Sequence, residues 1–160
     1  MEMLSDVSES TFHSKRKQAV ETCLPDLTGR HVLVVDDSED NQILLSHILK
    51  KAGAEVTIAA NGQIAVDMVL NQNGNSPFDV ILMDIQMPVL DGYQATKILR
   101  QNGCDLPIIA LTAHARPEDR RQSFDAGCND FMTKPIARAK LLEAVHHHAE
   151  AFRKATSEIA

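Results

Sequence analysis

Acidic, hydroxyl and basic side chains stand at the ends of four short apolar runs in this chain. The run HVLVV ends in Asp36 and Asp37, and the run VILM ends in Asp84. Two later runs lead into Thr112 and Lys134. A short apolar run bounded by polar residues is typical of a buried strand, and parallel strands present their carboxyl ends at one edge of a sheet. We therefore expect three carboxylates, one hydroxyl and one ammonium to meet at that edge.

Three neighbouring carboxylates raise one another's pKa values unless a cation lies among them, and hard oxygen ligands suit Mg²⁺. The pair Asp36–Asp37 alone has a second interpretation, because acids at a helix start often only complement the helix dipole. Asp84 also has two interpretations: a capping acid in a tight turn, or a nucleophile that forms an aspartyl-phosphate. A capping acid does not require Thr112 and Lys134 at the matching ends of two later strands, which favours the nucleophile.

Strands and helices that position these side chains alternate along the chain. The apolar runs predict five strands, at residues 31–35, 55–59, 78–84, 108–111 and 129–132. The helices between and after them are expected to begin near Ser38, after Asn61-Gly62, near Gly92, at Pro117 and near Ala137. In the first helix we expect one apolar stripe, formed by Leu44, Leu45, Ile48, Leu49 and Ala52. This alternation predicts an α/β fold with a parallel sheet covered on both faces.

Composition and net charge exclude some classes of function. The chain has 160 residues, of which 44% are hydrophobic and 4% aromatic, so one domain with an aliphatic core is expected. Its net charge of −6 disfavours nonspecific nucleic-acid binding. Three cysteines without a C-x-x-C pair argue against a disulfide framework or zinc site and favour the cytoplasm. No apolar run is long enough to span a membrane, and we expect no membrane contact by this segment.

The ordered motifs DD, VILMDIQMP, LTA and KP resemble the receiver domain of response regulators in two-component signalling. The resemblance covers roughly residues 29–152 and implies the flavodoxin-like (βα)5 fold, a five-stranded sheet in the order 2-1-3-4-5. We expect a polar linker or tail at 1–28, the receiver domain at 29–153 and a C-terminal tail at 154–160. The polar lead and the motif around Asp84 favour the receiver of a hybrid sensor histidine kinase over a stand-alone regulator.

Roles for individual residues follow from the resemblance. It implies that Asp84 accepts a phosphoryl group from a phosphohistidine on a histidine kinase or a histidine phosphotransfer protein. It implies Mg²⁺, replaceable by Mn²⁺, held by Asp37 and Asp84 directly, by Asp36 mainly through water and by the backbone carbonyl of Gln86. The phosphoryl oxygens are expected to bind Lys134, the Thr112 hydroxyl and the Ala113 amide. The Lys134–Pro135 peptide bond is expected to be cis.

Switching is expected to involve Thr112 and Phe131. Phosphorylation would move the loop after the fourth strand, and Phe131 would then turn inward. The surface of the fourth helix, fifth strand and fifth helix would then change. An ordinary edge-strand aromatic is the alternative for Phe131. Gln86 and His114 occupy positions that tune dephosphorylation in the family, and His114 is expected to be a loop histidine rather than a base. The residues His146, His147 and His148 are expected to lie on an exposed helix surface without binding metal.

Two other functions stay open. One is a pseudo-receiver, an interaction module that is never phosphorylated, although the complete acid set argues against it. The other is a Mg²⁺-dependent phosphohydrolase with an aspartyl intermediate. Such enzymes commonly carry a second acid two residues after the nucleophile, where this chain has Gln86. We do not expect a free-standing enzyme; a fragment of a hybrid histidine kinase is the closest enzymatic alternative.

Overall fold

The computed structural model describes residues 24–71 and 76–159. Within them, five strands and five helices alternate. The strands are β1 (His31–Val35), β2 (Glu55–Ala59), β3 (Val80–Asp84), β4 (Ile108–Thr112) and β5 (Asp130–Thr133). The helices are α1 (Glu39–Lys51), α2 (Gly62–Leu70), α3 (Gly92–Gln101), α4 (Pro117–Ala126) and α5 (Arg138–Ile159).

The five strands form one parallel sheet in the order β2-β1-β3-β4-β5, which confirms the predicted fold class and strand order. β3 lies at the centre, and all five of its residues are buried. A strand that is covered on both faces reads as a continuous apolar run, which explains VILM without alternation. The edge strand β5 is only half-buried. The order places the ends of β1, β3 and β4 side by side.

Two apolar cores flank the sheet. On one face, α1 and α5 pack with Leu45, Leu49, Leu141 and Val145 against the strands. On the other face, α2 and α3 supply most of the helical apolar side chains, and α4 packs beside α3. Helix α4 buries only Ser123 and Ala126, so little apolar burial holds it in place. The helix next to the loop after β4 is therefore less firmly packed than its neighbours.

At the amino end of the sheet, the two ends of the described chain meet. Leu27 is fully buried and its amide donates to the Ala52 carbonyl at 2.8 Å. Arg30 pairs with Glu150 of α5. Ordered structure extends beyond the predicted domain of residues 29–153, because Leu27 of the predicted tail is buried and α5 continues to Ile159. The domain bounds stay a prediction, and most of the tail at 1–28 lies outside the described residues.

Two local expectations were wrong. Leu44 is 52% exposed, and Leu45, Ile48 and Leu49 form the buried face of α1 without it. The histidines of α5 are not all exposed, since His146 and His148 are half-buried and only His147 is open. His148 bonds the Asp130 carboxylate at 2.9 Å, which joins α5 to β5. Such contacts come from packing of distant elements, which helical periodicity alone does not specify.

Candidate functional site

Asp84 lies at the carboxyl end of the central strand and is 3% exposed. Its carboxylate accepts one backbone hydrogen bond, from the Gln86 amide at 3.3 Å. The chain then turns into α3, whose first residue is Gly92. A Cβ on Gly92 would lie 2.5 Å from the Asp84 carbonyl oxygen, so only glycine allows this close approach. Helix α3 begins with a capping box between Asp91 and Gln94, and the loop after Asp84 is thereby held short.

Asp36 and Asp37 follow β1, the strand beside β3. Asp36 is fully buried; its amide donates to the Ala59 carbonyl at 3.1 Å, and its carboxylate accepts from the Ser38 amide at 2.9 Å. Asp37 is exposed. Carboxylate oxygens of Asp36, Asp37 and Asp84 lie within 4.8 Å of one another. The structure therefore brings together the three acids that the strand ends predicted.

Lys134 lies between two of these acids. Its ammonium is 3.3 Å from the carboxylates of both Asp36 and Asp84. The Lys134–Pro135 peptide bond is cis, as the resemblance implies. The backbone joins Lys134 to the sheet as well, because its amide donates to the Thr112 carbonyl at 2.7 Å. One ammonium group thus forms ion pairs with two buried carboxylates.

Thr112 ends β4, and the preceding residue, Leu111, is in register with Asp84. Thr112 is 2% exposed, and its hydroxyl accepts from the His114 amide at 3.2 Å. Ala113 and His114 follow it and are exposed. The described contacts thus place Thr112 at the same edge of the sheet as the three acids.

A cleft of about 410 Å³ opens between the loops that follow β3 and β4. Its walls include Gln86 and Thr112, and Tyr93 with Asp119 forms part of its rim. The Tyr93 hydroxyl donates to the Asp119 carbonyl at 3.4 Å, which links α3 to α4. The cleft thus leaves open space beside Thr112, where the loop after β4 begins.

Phe131 is half-buried in β5, in register with Ala110 of β4, and packs against the core on the α2–α3 face. This is the predicted position of the switch aromatic, next to the weakly packed α4. The structure shows one packing of this side chain.

The electrostatic environment sets Asp84 apart from the other carboxylates of the site. Burial, and then the nearby Asp36 carboxylate, raise the pKa of Asp84 to about 6, while Lys134 and the Gln86 amide act in the opposite direction. At neutral pH the Asp84 carboxyl group is therefore mostly ionised. Its burial and the Asp36 charge make the ionised form less favourable than it would be in water. A divalent cation fits this donor set, because its charge would relieve the repulsion that one lysine leaves uncompensated.

Sequence reasoning missed two residues around this site. Gln42 of α1 bonds the Asp36 backbone, and Tyr93 joins α3 to α4. Both lie on helices, where the periodicity of apolar residues predicts burial or exposure but not a specific hydrogen-bond partner. A signal for Gln42 was its place as the fourth residue of α1, five residues after Asp37 and in reach of the end of β1.

Residues 32–146 match the family model for the response regulator receiver domain. This chain belongs to the response regulator receiver family. The receiver is 40% identical over 119 residues to the sensor histidine kinase GacS of Pseudomonas protegens, covering 71% of this chain and 12% of that protein. It is also 40% identical to two-component response regulator 24 of Arabidopsis thaliana, covering 71% of this chain and 80% of that one.

A solved receiver structure shows a similar fold. The receiver domain of a sensor histidine kinase from Pseudomonas aeruginosa is 40% identical, with a TM-score of 0.69, covering 77% of this chain and 99% of that one. That structure has a magnesium ion coordinated in its active-site cleft. The present chain spans 12–13% of the length of the first histidine kinases that it matches. In the described part of the chain, no helix combines the length and hydropathy needed to cross a bilayer.

Proposed function

We propose that this receiver accepts a phosphoryl group on Asp84 from a phosphohistidine. The single observation that carries the proposal is the Lys134 ammonium, 3.3 Å from both Asp36 and Asp84 within a cluster of three carboxylates. Phosphoryl transfer depends mainly on positioning and charge neutralisation, which this arrangement supports. The acceptor oxygen of Asp84 forms the new P–O bond while the N–P bond of the donor breaks, and the donor nitrogen keeps the electron pair.

Mg²⁺, or Mn²⁺ in its place, is the proposed cofactor. Asp36, Asp37, Asp84 and the Gln86 carbonyl would hold the ion, and when bound it neutralises charge on the phosphoryl oxygens. The remaining oxygens have candidate donors in Lys134, the Thr112 hydroxyl and the Ala113 amide. The pKa of Asp84, raised to about 6, leaves the carboxylate ionised and nucleophilic at neutral pH.

The donor is proposed to be a histidine kinase or a histidine phosphotransfer protein. Exposed large apolar residues on the elements that flank the acids support a docking surface there, since exposed apolar side chains can contribute to interaction sites. Among the described residues, four of the five exposed large hydrophobics lie at the carboxyl end of the sheet: Ile43, Leu44, Ile64 and Val89. The exposure of Leu44, unexpected from the helix pattern, is consistent with this use. Among the described residues, the free thiols of Cys104 and Cys128 support the cytoplasm as the proposed compartment.

The output is proposed to be a population shift in the surface formed by α4, β5 and α5. A phosphoryl oxygen that binds the Thr112 hydroxyl would replace its bond to the His114 amide and draw in the loop after β4. Phe131 would turn inward, and α4 would shift because little apolar burial holds it. A receiver within a larger hybrid kinase is the proposed context, given the relatives with which the chain aligns.

The test is intact-mass measurement after incubation with a small phosphodonor and Mg²⁺. We expect the wild type to gain one phosphate and Asp84→Asn to gain none, because the acceptor oxygen is gone. Asp67→Asn is the matched control, as Asp67 is an exposed aspartate on α2. Hydrogen exchange of the phosphorylated wild type should change in α4 and β5, and Thr112→Val should suppress that change.

Two outcomes would contradict the proposal. A wild type that gains no phosphate while folded and supplied with Mg²⁺ would favour the pseudo-receiver. Sustained turnover of a phosphomonoester would favour the phosphohydrolase, although Gln86 stands where such enzymes commonly carry their second acid.

A further inference from the structure

Gln42, the fourth residue of α1, reaches back to the end of β1. Its side-chain amide donates to the Asp36 backbone carbonyl at 2.6 Å, while its own backbone amide bonds the Ser38 carbonyl at 3.0 Å. The side chain is half-buried. Ser38 already caps the helix, with its hydroxyl 3.5 Å from the Asn41 amide. The Gln42 bond is therefore additional to the helix cap and acts on the loop that carries the acids.

This bond orients one peptide unit, the one between Asp36 and Asp37. The Asp36 carboxylate is held separately, by the Ser38 amide and by Lys134. Asp37 is exposed, and within residues 24–71 and 76–159 no group donates a hydrogen bond to its carboxylate. Among the contacts of the described residues, the Asp37 carboxylate is thus positioned only through the backbone of Asp37. Because the peptide unit is planar, fixing the Asp36 carbonyl also fixes the amide from which Asp37 departs.

We propose that Gln42 is a positioning residue for the cation site, acting through the Asp36–Asp37 peptide to hold the Asp37 carboxylate toward Asp84. The proposal rests on the proposed function, because it concerns the affinity of the same three acids for Mg²⁺. Groups that orient the ligands of a metal without touching it commonly change affinity about 10- to 100-fold when removed. Gln42 has that relation to Asp37, with a short bond to the adjoining carbonyl.

The experiment compares two glutamine-to-methionine variants. Gln42→Met keeps the length of the side chain and removes its hydrogen-bond donor. Gln63→Met is the control, because Gln63 is an exposed glutamine whose amide bonds Asp67 within α2, 3.1 Å away. Titration calorimetry with Mg²⁺ should show a dissociation constant about 10-fold higher for Gln42→Met and unchanged for Gln63→Met. In metal-free buffer, the amide resonance of Asp37 should shift in Gln42→Met, and the melting temperature should stay near that of the wild type.

Each contrary result has a distinct meaning. Equal magnesium affinity in both variants would overturn the proposal, as would an unmoved Asp37 resonance. A Gln42→Met chain that fails to fold, or melts much lower with unchanged affinity, would show that the bond serves the fold instead. Absence of magnesium binding by the wild type would count against the proposed function itself, and so separates the two failures.

Discussion

The two ends of strand β3 each carry a buried aspartate, and the two differ in how their charge is balanced. Asp79, just before the strand, accepts from the Arg153 guanidinium at 3.0 and 3.2 Å and from the His31 amide at 2.8 Å. Asp84, at the other end, shares Lys134 with Asp36 and accepts one long bond from the Gln86 amide. Asp79 therefore pairs with its own guanidinium, whereas Asp84 shares one ammonium group with Asp36. The comparison separates a carboxylate whose charge is balanced by its own cation from one whose charge is only partly balanced.

Backbone conformation differs between the same two ends. At the amino end, the described residues with positive φ are all glycines: Gly29, Gly53, Gly103 and Gly127. At the carboxyl end, Val89 takes φ 73° in the loop after Asp84, although a β-branched residue rarely adopts this conformation. Its side chain is 82% exposed, so packing does not compensate. Charge repulsion and backbone strain are thus concentrated near the candidate site, as local strain often is.

The largest effect is expected at the amino end. Arg153→Met leaves the Asp79 carboxylate buried without its cation and should lower the free energy of unfolding by about 3 kcal/mol at pH 7. Urea denaturation measures this. Arg121→Met, at an exposed arginine of α4, should change stability little. A small decrease in the free energy of unfolding of Arg153→Met would mean that Arg153 does not balance the charge of Asp79. The proposed difference between the two aspartates would then be wrong.

At the carboxyl end, removing the charge should stabilise the protein. The pKa of Asp84 is raised from 3.8 to about 6, so the folded state binds the proton more tightly than the unfolded state does. The wild type therefore loses stability as pH rises from about 4 through 6, whereas Asp84→Asn escapes this loss. In Mg²⁺-free buffer at pH 8 the variant should be more stable by about 2 kcal/mol, which is below the roughly 3 kcal/mol that the pKa difference gives at about 1.4 kcal/mol per unit, because solvent partly screens the carboxylate.

The pH dependence provides the control for that variant. Its advantage over the wild type should disappear near pH 4, where the wild-type carboxyl is protonated in the folded protein. Saturating Mg²⁺ should also remove the advantage by stabilising the wild type at pH 8. If denaturant titrations find Asp84→Asn less stable at pH 8 without metal, Asp84 is a satisfied structural acid.

The smallest effect concerns the strained loop. Val89→Asn should raise the free energy of unfolding by about 1 kcal/mol, because asparagine tolerates positive φ better than valine and no packing is lost. The reverse change, Gly103→Val, should lower stability by a similar amount, since φ is +83° there although nothing lies within 4 Å of an added Cβ. Thermal denaturation of both variants tests the pair. Equal stability of Val89→Asn and the wild type would show that the loop is unstrained.

Much of this protein could be predicted from local signals. Apolar runs located the five strands, although β3 begins at Val80 instead of residue 78 and β5 lies one residue later than expected. The acids at the ends of β1 and β3 were predicted to meet because parallel strands end at a common edge. The strand order came from the resemblance, since periodicity alone does not distinguish one doubly wound arrangement from another.

What the sequence by itself determined is the order of elements and the kind of side chain at each strand end. Those features depend on neighbours a few residues away. Only the tertiary structure decided that Asp79 pairs with Arg153, that Lys134 is shared, that Leu44 is exposed and that Gln42 bonds the Asp36 carbonyl. Burial and electrostatic balance depend on groups far apart along the chain, such as Asp36 and Lys134, which are 98 positions apart and are brought together only when the sheet is complete. For that reason two aspartates at the ends of one strand look alike in the sequence and behave differently in the fold.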